Sequence, residues 1–171
     1  MKAYFDIDTQ IDFVFPDGAL YGGHAERIIP AVAELNHYAA DLGIPLISTM
    51  CAHLEDSQEF KVWPPHCIIG TPGQRKPAAT LVGDPAKQII IEKDDLDMFS
   101  NPAVLPLLDE LGVDECFVYG VFTEYCVKCA MMGLLKTGRK VSLVTRATAH
   151  LSEAEGERVV REFLAAGGQC V

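Results

Sequence analysis

Residues 115–127 read ECFVYGVFTEYCV, and this stretch decides the fold. Its first part is a near-continuous apolar run, the pattern of a strand buried on both faces of a parallel sheet. Gly120 ends the run, and a helical pattern follows from about Glu124 to Gly138. A strand that feeds a helix directly is one half of a β-α-β unit. The same reading extends outward on both sides. AYFDI (3–7), IPLISTM (44–50), QIIIE (88–92) and KVSLVT (140–145) read as further buried strands, with a short QCV (169–171) as a sixth.

Helical patterns lie between them. Ile28, Val32, Leu35, Ala39 and Leu42 form one apolar face, with Pro30 in the first turn, where a missing N–H costs little. A second helix is expected from Asn101-Pro102 to Gly112, with Val104, Leu107, Leu108 and Leu111 inward. The last begins at a capping box, Ser152 and Glu155, and turns Val159, Val160, Phe163 and Leu164 inward. Alternating strands and helices predict a three-layer α/β/α fold: a mainly parallel, Rossmann-like doubly wound sheet of about six strands. With no linker, repeat or low-complexity tract, residues 1–171 read as one domain.

Composition narrows the function. A net charge of -10 disfavours nucleic acid and anionic membrane as partners, since both select basic patches. No apolar run approaches the ~20 residues of a membrane span, and the N-terminus lacks the features of an export signal. The chain therefore reads as cytoplasmic, with its six cysteines reduced. Cys116 and Cys170 sit in apolar runs and are expected to fill the core.

Three residues stand where strands end: Asp8 after AYFDI, Lys93 after QIIIE, and Cys126 past ECFVYG. In an open parallel sheet the carboxyl ends of the strands share one edge, and ligands bind along it. An acid, a lysine and a thiol would then meet in one cleft, and a thiol needs a proton acceptor and a cation to act as a nucleophile. Each has a plainer reading too. Asp8 could be a turn acid, Lys93 could reach to solvent, and Cys126 could be a structural cysteine. Cys126 and Cys129 also form C-x-x-C at a helix start, the spacing of a dithiol redox protein.

One segment breaks the alternation. Residues 51–79 form a long connection holding Cys51, His53, Glu59, Trp63, His66 and Cys67. Long loops in compact domains are usually functional, and two histidines, a carboxylate and a thiol suit a divalent metal.

Taken together these segments resemble the nicotinamidase/pyrazinamidase branch of the isochorismatase-like cysteine hydrolases. The matching motifs are D-x-Q-x-D-F at residues 8–13, the strand-end Lys93, G-V-x-T-x-x-C-V at 120–127, and W-P-x-H-C-x-x-G-T-x-G at 63–73. The resemblance implies a cysteine amidohydrolase that converts nicotinamide to nicotinic acid and ammonia, with a place in NAD biosynthesis. It makes Asp8, Lys93 and Cys126 the catalytic triad and the backbone N–H groups of Phe122 and Cys126 the oxyanion hole. It also implies a cis Val121–Phe122 peptide. Phe13 and Trp63 would line the substrate pocket. Cys51, His53, Glu59 and His66 would hold the metal, zinc foremost, with iron or manganese as alternatives. Cys51 stands where the family usually has an aspartate, and Glu59 where it often has histidine. A small-molecule amide is the implied partner, with homo-oligomerisation left open. The nearest alternative is a metal-free relative that cleaves another small amide, ureide or vinyl ether.

Overall fold

Side-chain alternation along the strands determines how the layers form. In β1 (Lys2–Ile7), Ala3, Phe5 and Ile7 point to one face and Tyr4 and Asp6 to the other. In β4 (Glu115–Gly120), Cys116 and Val118 join the first face, and Phe117 and Tyr119 the second. Both faces are buried, so each must be covered by helices. The computed structural model describes all 171 residues. It adds β2 (Leu46–Cys51), β3 (Ile89–Lys93), β5 (Lys140–Thr148) and β6 (Gln169–Cys170). All pairs are parallel, in the order β3-β2-β1-β4-β5-β6. The three-layer doubly wound fold expected from sequence is the fold observed.

One face is covered by three helices. Val104 and Leu108 of α3 (Val104–Glu110), Ala130, Met131 and Leu134 of α4 (Lys128–Lys136), and Val159 and Phe163 of α5 (Glu153–Ala165) share a core with Phe5, Ile47 and Val118. The other face is covered by α1 (Ile11–Val14) and α2 (Ile29–Asp41), whose Phe13, Val32 and Leu35 pack with Tyr119 and Val144. Ser152 caps α5 by accepting the Glu155 N–H. No helix is long and apolar enough to cross a membrane.

Three expected core residues lie outside the core. Leu42 is exposed because α2 stops at Asp41 and the chain turns away at Gly43, which has a φ of +65°. Leu164 is half exposed because the buried stripe of α5 is only Gly156, Val159 and Phe163 wide. Cys170 lies in β6, a two-residue strand at the edge of the sheet, and is exposed.

Candidate active site

β1 ends at Ile7, and Asp8 turns the chain with a φ of +48°, a left-handed conformation that aspartate tolerates better than most residues. Its N–H donates to Thr49 O at 3.2 Å, and Thr49 Oγ1 donates to Asp8 Oδ1 at 2.6 Å. Lys93, the last residue of β3, places Nζ 2.8 Å from Asp8 Oδ2, with neither side chain exposed. The same ammonium donates to Asp95 O at 2.9 Å, Cys51 Sγ at 3.3 Å and Cys126 Sγ at 3.6 Å. Asp8, Lys93 and Cys126, far apart in sequence, therefore meet at the carboxyl edge of the sheet.

Gly120 makes this approach possible. A Cβ there would lie 2.1 Å from Ile7 O, so only glycine lets β4 turn beside the end of β1. The Val121–Phe122 peptide is cis, as the family resemblance implied. Thr123–Val127 forms a wide turn broken at Tyr125 (φ −120°, ψ −106°), so the smooth helix expected from Glu124 is kinked, with α4 starting at Lys128. Cys126 falls just after this break. The Phe122 N–H makes no backbone hydrogen bond.

Burial pushes the Asp8 carboxyl up, but Lys93 and hydrogen bonds from Cys126 and Thr49 hold it below the ordinary carboxylate range. Burial also opposes charge on Lys93, but Asp8 and the two sulfurs keep it an ammonium. A hydrogen bond to Cys51, then burial, raise Cys126 well above an ordinary thiol, and Lys93 only partly offsets them. Cys126 is therefore a protonated thiol beside an Asp8–Lys93 ion pair.

A second cluster adjoins the first. His53 Nε2 and His66 Nε2 lie 3.8 and 3.9 Å from the two Glu59 carboxylate oxygens. The ligand atoms of these three residues all lie within 4.8 Å of one another. His66 Nδ1 is held by Pro64 O at 2.8 Å, and His53 Nδ1 by the Asp94 carboxylate, which also accepts from Ser57 Oγ at 3.2 Å. Both rings thus turn Nε2 inward, and outer carboxylate and carbonyl partners of this kind orient metal-binding histidines. His53 Nε2 is buried with no hydrogen-bond partner, an unmet demand that a cation would meet. Burial holds His66 below the usual histidine range, which keeps its imidazole neutral. The donor set fits a divalent metal.

Cys51 is not part of this donor set, contrary to the expectation from sequence. It is in register with Lys93 on the neighbouring strand, so the two side chains project together. Its sulfur groups with Asp8 and Cys126, not with the histidines.

Phe13 and Trp63 both line a narrow cleft that Cys126 also lines. Leu20, Leu96, Val121, Tyr125 and Leu151 complete its mainly apolar wall. Trp63 packs edge-on against Tyr125, with ring centroids 5.1 Å apart. Cys129 lines a separate groove with Asp97, Phe99 and Lys128, so the C-x-x-C pair does not share the cleft.

Sequence reasoning missed Asp94 and Tyr125, and gave no role to Gln10 of the D-x-Q-x-D-F motif. Gln10 clamps the loop: its amide donates to Cys51 O and Gln74 O at 2.8 Å and accepts the Cys51 N–H at 2.7 Å. Asp94 carried a signal, an acid directly after a strand-ending lysine.

Comparison with known proteins agrees with this geometry. The isochorismatase domain family matches residues 2–171. A nicotinamidase/pyrazinamidase of Mycobacterium tuberculosis is 25% identical over 169 residues, covering 89% of this chain and 88% of its own. A pyrazinamidase of Pyrococcus horikoshii, solved in complex with zinc, superposes with a TM-score of 0.91 at 29% identity over 99% and 98% of the two chains. A pyrazinamidase/nicotinamidase of Streptococcus mutans gives 0.93 at 28% identity over both entire chains.

Proposed function

The chain belongs to the isochorismatase domain family, and we propose that within it the protein is a cysteine amidohydrolase that converts nicotinamide and water to nicotinic acid and ammonia. One observation carries the reading. The Asp8–Lys93–Cys126 cluster lies at the end of a small, mainly apolar cleft, and a histidine-rich donor set stands at its wall. A flat aromatic amide with a ring nitrogen matches both the apolar wall and the donor set.

In this mechanism Asp8 takes the Cys126 proton as the sulfur attacks the carboxamide carbon. Lys93 keeps Asp8 ionised and faces the sulfur as charge develops on it. The N–H groups of Phe122 and Cys126 receive the oxyanion. Asp8 then protonates the departing ammonia and activates the water that hydrolyses the thioester. Phe13 and Trp63 flank the ring. His53, Glu59 and His66 would hold a divalent metal, zinc foremost, which when bound supplies a Lewis-acid contact for the ring nitrogen. A cytoplasmic setting and a part in NAD biosynthesis follow from this reading.

The test is ammonia release from nicotinamide by metal-loaded protein, set against a panel of aliphatic amides and ureides. Turnover of nicotinamide is expected to exceed that of the panel. Hydrolysis of the panel but not of nicotinamide would shift the reading to the metal-free relatives.

A further inference from the structure

We propose that Cys51 and Cys126 are joined by a reversible disulfide, so that the cleft is a site of modification by small hydroperoxides. The mechanism gives Cys51 no task, yet its sulfur lines the same cleft as Cys126. The two sulfurs and the Asp8 carboxylate lie within 4.8 Å of one another. Both thiols face the same charges. Lys93 Nζ donates to Cys51 Sγ at 3.3 Å and to Cys126 Sγ at 3.6 Å, and Cys51 Sγ lies 3.7 Å from Asp8 Oδ2. A base and a cation that prepare one sulfur for attack are therefore in place for the other.

The chemistry balances with a hydroperoxide as the only co-reactant. Asp8 takes the Cys126 proton, and the sulfur attacks the terminal peroxide oxygen. The O–O bond breaks, an alcohol or water leaves with that proton, and Cys126 becomes a sulfenic acid. The Cys51 sulfur then attacks the sulfenic sulfur as its own proton passes to Asp8. The S–S bond forms and the S–O bond breaks. The departing hydroxide takes the proton and leaves as water. Two thiols have been oxidised by two electrons, and the peroxide has been reduced by the same two. An oxidant of this size needs no more room than the carboxamide the cleft is proposed to admit.

The other cysteines are placed less well. Cys116 is sealed in the core, Cys170 lies on the far edge strand, and Cys129 opens into a different groove. Cys67 is fully buried and does not line the cleft that Cys51 and Cys126 share. The disulfide would silence the nucleophile and shield it from irreversible oxidation. It depends on the cleft alone, whichever amide the enzyme prefers.

The test treats the full-length, metal-loaded protein with hydrogen peroxide, followed by thiol titration and non-reducing peptide mapping by mass spectrometry. The wild type is expected to lose two thiols per chain, to yield a peptide linking Cys51 to Cys126, and to regain both thiols and amide hydrolysis with dithiothreitol. Cys129→Ser should behave the same way. In Cys51→Ser, Cys126 should proceed to sulfinic and sulfonic acid, and dithiothreitol should restore nothing. A link from Cys126 to Cys67 or Cys129, a wild type in which Cys126 stays unlinked, or full recovery in Cys51→Ser would each overturn the proposal. Should Cys51→Ser not fold, the maps of wild type and Cys129→Ser decide it alone.

Discussion

β1 and the residue that follows it carry two buried carboxylates two residues apart, Asp6 and Asp8, each paired with a buried lysine, and only one pair lies in the candidate active site. Lys76 Nζ is 3.1 Å from Asp6 Oδ2, and Lys93 Nζ is 2.8 Å from Asp8 Oδ2, with all four side chains sealed from solvent. They differ in their other partners. Asp6 also accepts from Thr9 Oγ1 at 2.6 Å, Asn36 Nδ2 at 3.0 Å and Ser48 Oγ at 3.3 Å, while Tyr119 OH holds Asn36 at 2.7 Å. That network ties β1, α2, β2, β4 and the end of the long loop together with hydroxyls and amides, which keep their protons at neutral pH. Asp8 has one such hydroxyl, Thr49, and beyond Lys93 it faces two thiols. Burial and pairing are common to both; what sets Asp8 apart is a neighbour that can give up a proton, as the proposed mechanism requires.

The comparison breaks if the two pairs respond alike to mutation. Asp8→Asn should lower turnover by about 10²–10⁴-fold or more, since one base serves both acylation and deacylation. Cys126→Ala should abolish it. Lys76→Met should instead cost stability, about 3–5 kcal/mol, because it leaves Asp6 charged and unpaired in the core. The folded fraction of Lys76→Met should retain near-normal kcat. Urea denaturation and steady-state kinetics on the same preparations separate the outcomes. A Lys76→Met enzyme that folds stably but cannot turn over would place the second pair in the chemistry.

The metal cluster sharpens the comparison at a smaller scale. His66→Ala should lose the metal. Asp94→Ala, which frees the far side of His53, should weaken metal affinity about 10–100-fold. Cys51→Ala should keep its metal, because that sulfur belongs with Lys93. Metal analysis after dialysis against a graded chelator ranks the three. A Cys51→Ala protein that loses metal as His66→Ala does would restore Cys51 to the ligand set.

Acid should reveal the two clusters in sequence. Burial depresses His66 below its ordinary value of 6.5, so between its folded and unfolded pKa values the unfolded chain binds a proton that the native chain does not. Its share of stability is complete above 6.5 and is lost as pH falls. Asp8 is depressed from 3.8, so its share is complete above 3.8 and is lost only in stronger acid. Metal-free protein should therefore weaken first in mildly acid solution and again below 3.8. His66→Gln should remove the first step only. Equal pH profiles for the variant and the wild type would show that His66 is not the group responsible.

The sequence displayed the fold through its apolar runs, because parallel strands buried on both faces leave little room for polar interruption. Asp6 is the buried acid inside such a run, AYFDI, and that interruption was the trace of the buried network. Asp8, Lys93 and Cys126 were legible because Lys93 ends a strand and the other two lie in the turns that follow strands, and strand ends converge on one edge. Lys76 left no trace, since no periodicity in a loop tells a buried lysine from a solvated one. Cys51 was assigned to the ligand set because it stands where the family resemblance puts an aspartate ligand, but its sulfur groups with Asp8 and Cys126. Its neighbour across the sheet, Lys93, is set by strand register, which spacing along the chain does not reveal.

The smallest expected effect concerns the residue that sequence places closest to the nucleophile. Cys129 is three positions from Cys126, as in a redox motif, yet it is half-buried in a groove with Asp97, Phe99 and Lys128. Burial raises its thiol to about 11, so it is protonated at neutral pH, and it lines a groove that Asp8 does not. Serine is close to it in size, and a substitution away from special contacts usually changes stability by within about 0.5 kcal/mol. Cys129→Ser should therefore leave amide hydrolysis and thermal stability close to wild type. Cys51, remote in sequence but hydrogen-bonded to Lys93 beside Cys126, should be the more disruptive site to alter. Steady-state kinetics of Cys129→Ser and Cys51→Ala side by side measure the contrast. A well-folded Cys129→Ser enzyme that has lost hydrolysis while Cys51→Ala keeps it would show that proximity along the chain, not across the sheet, defines the thiol chemistry.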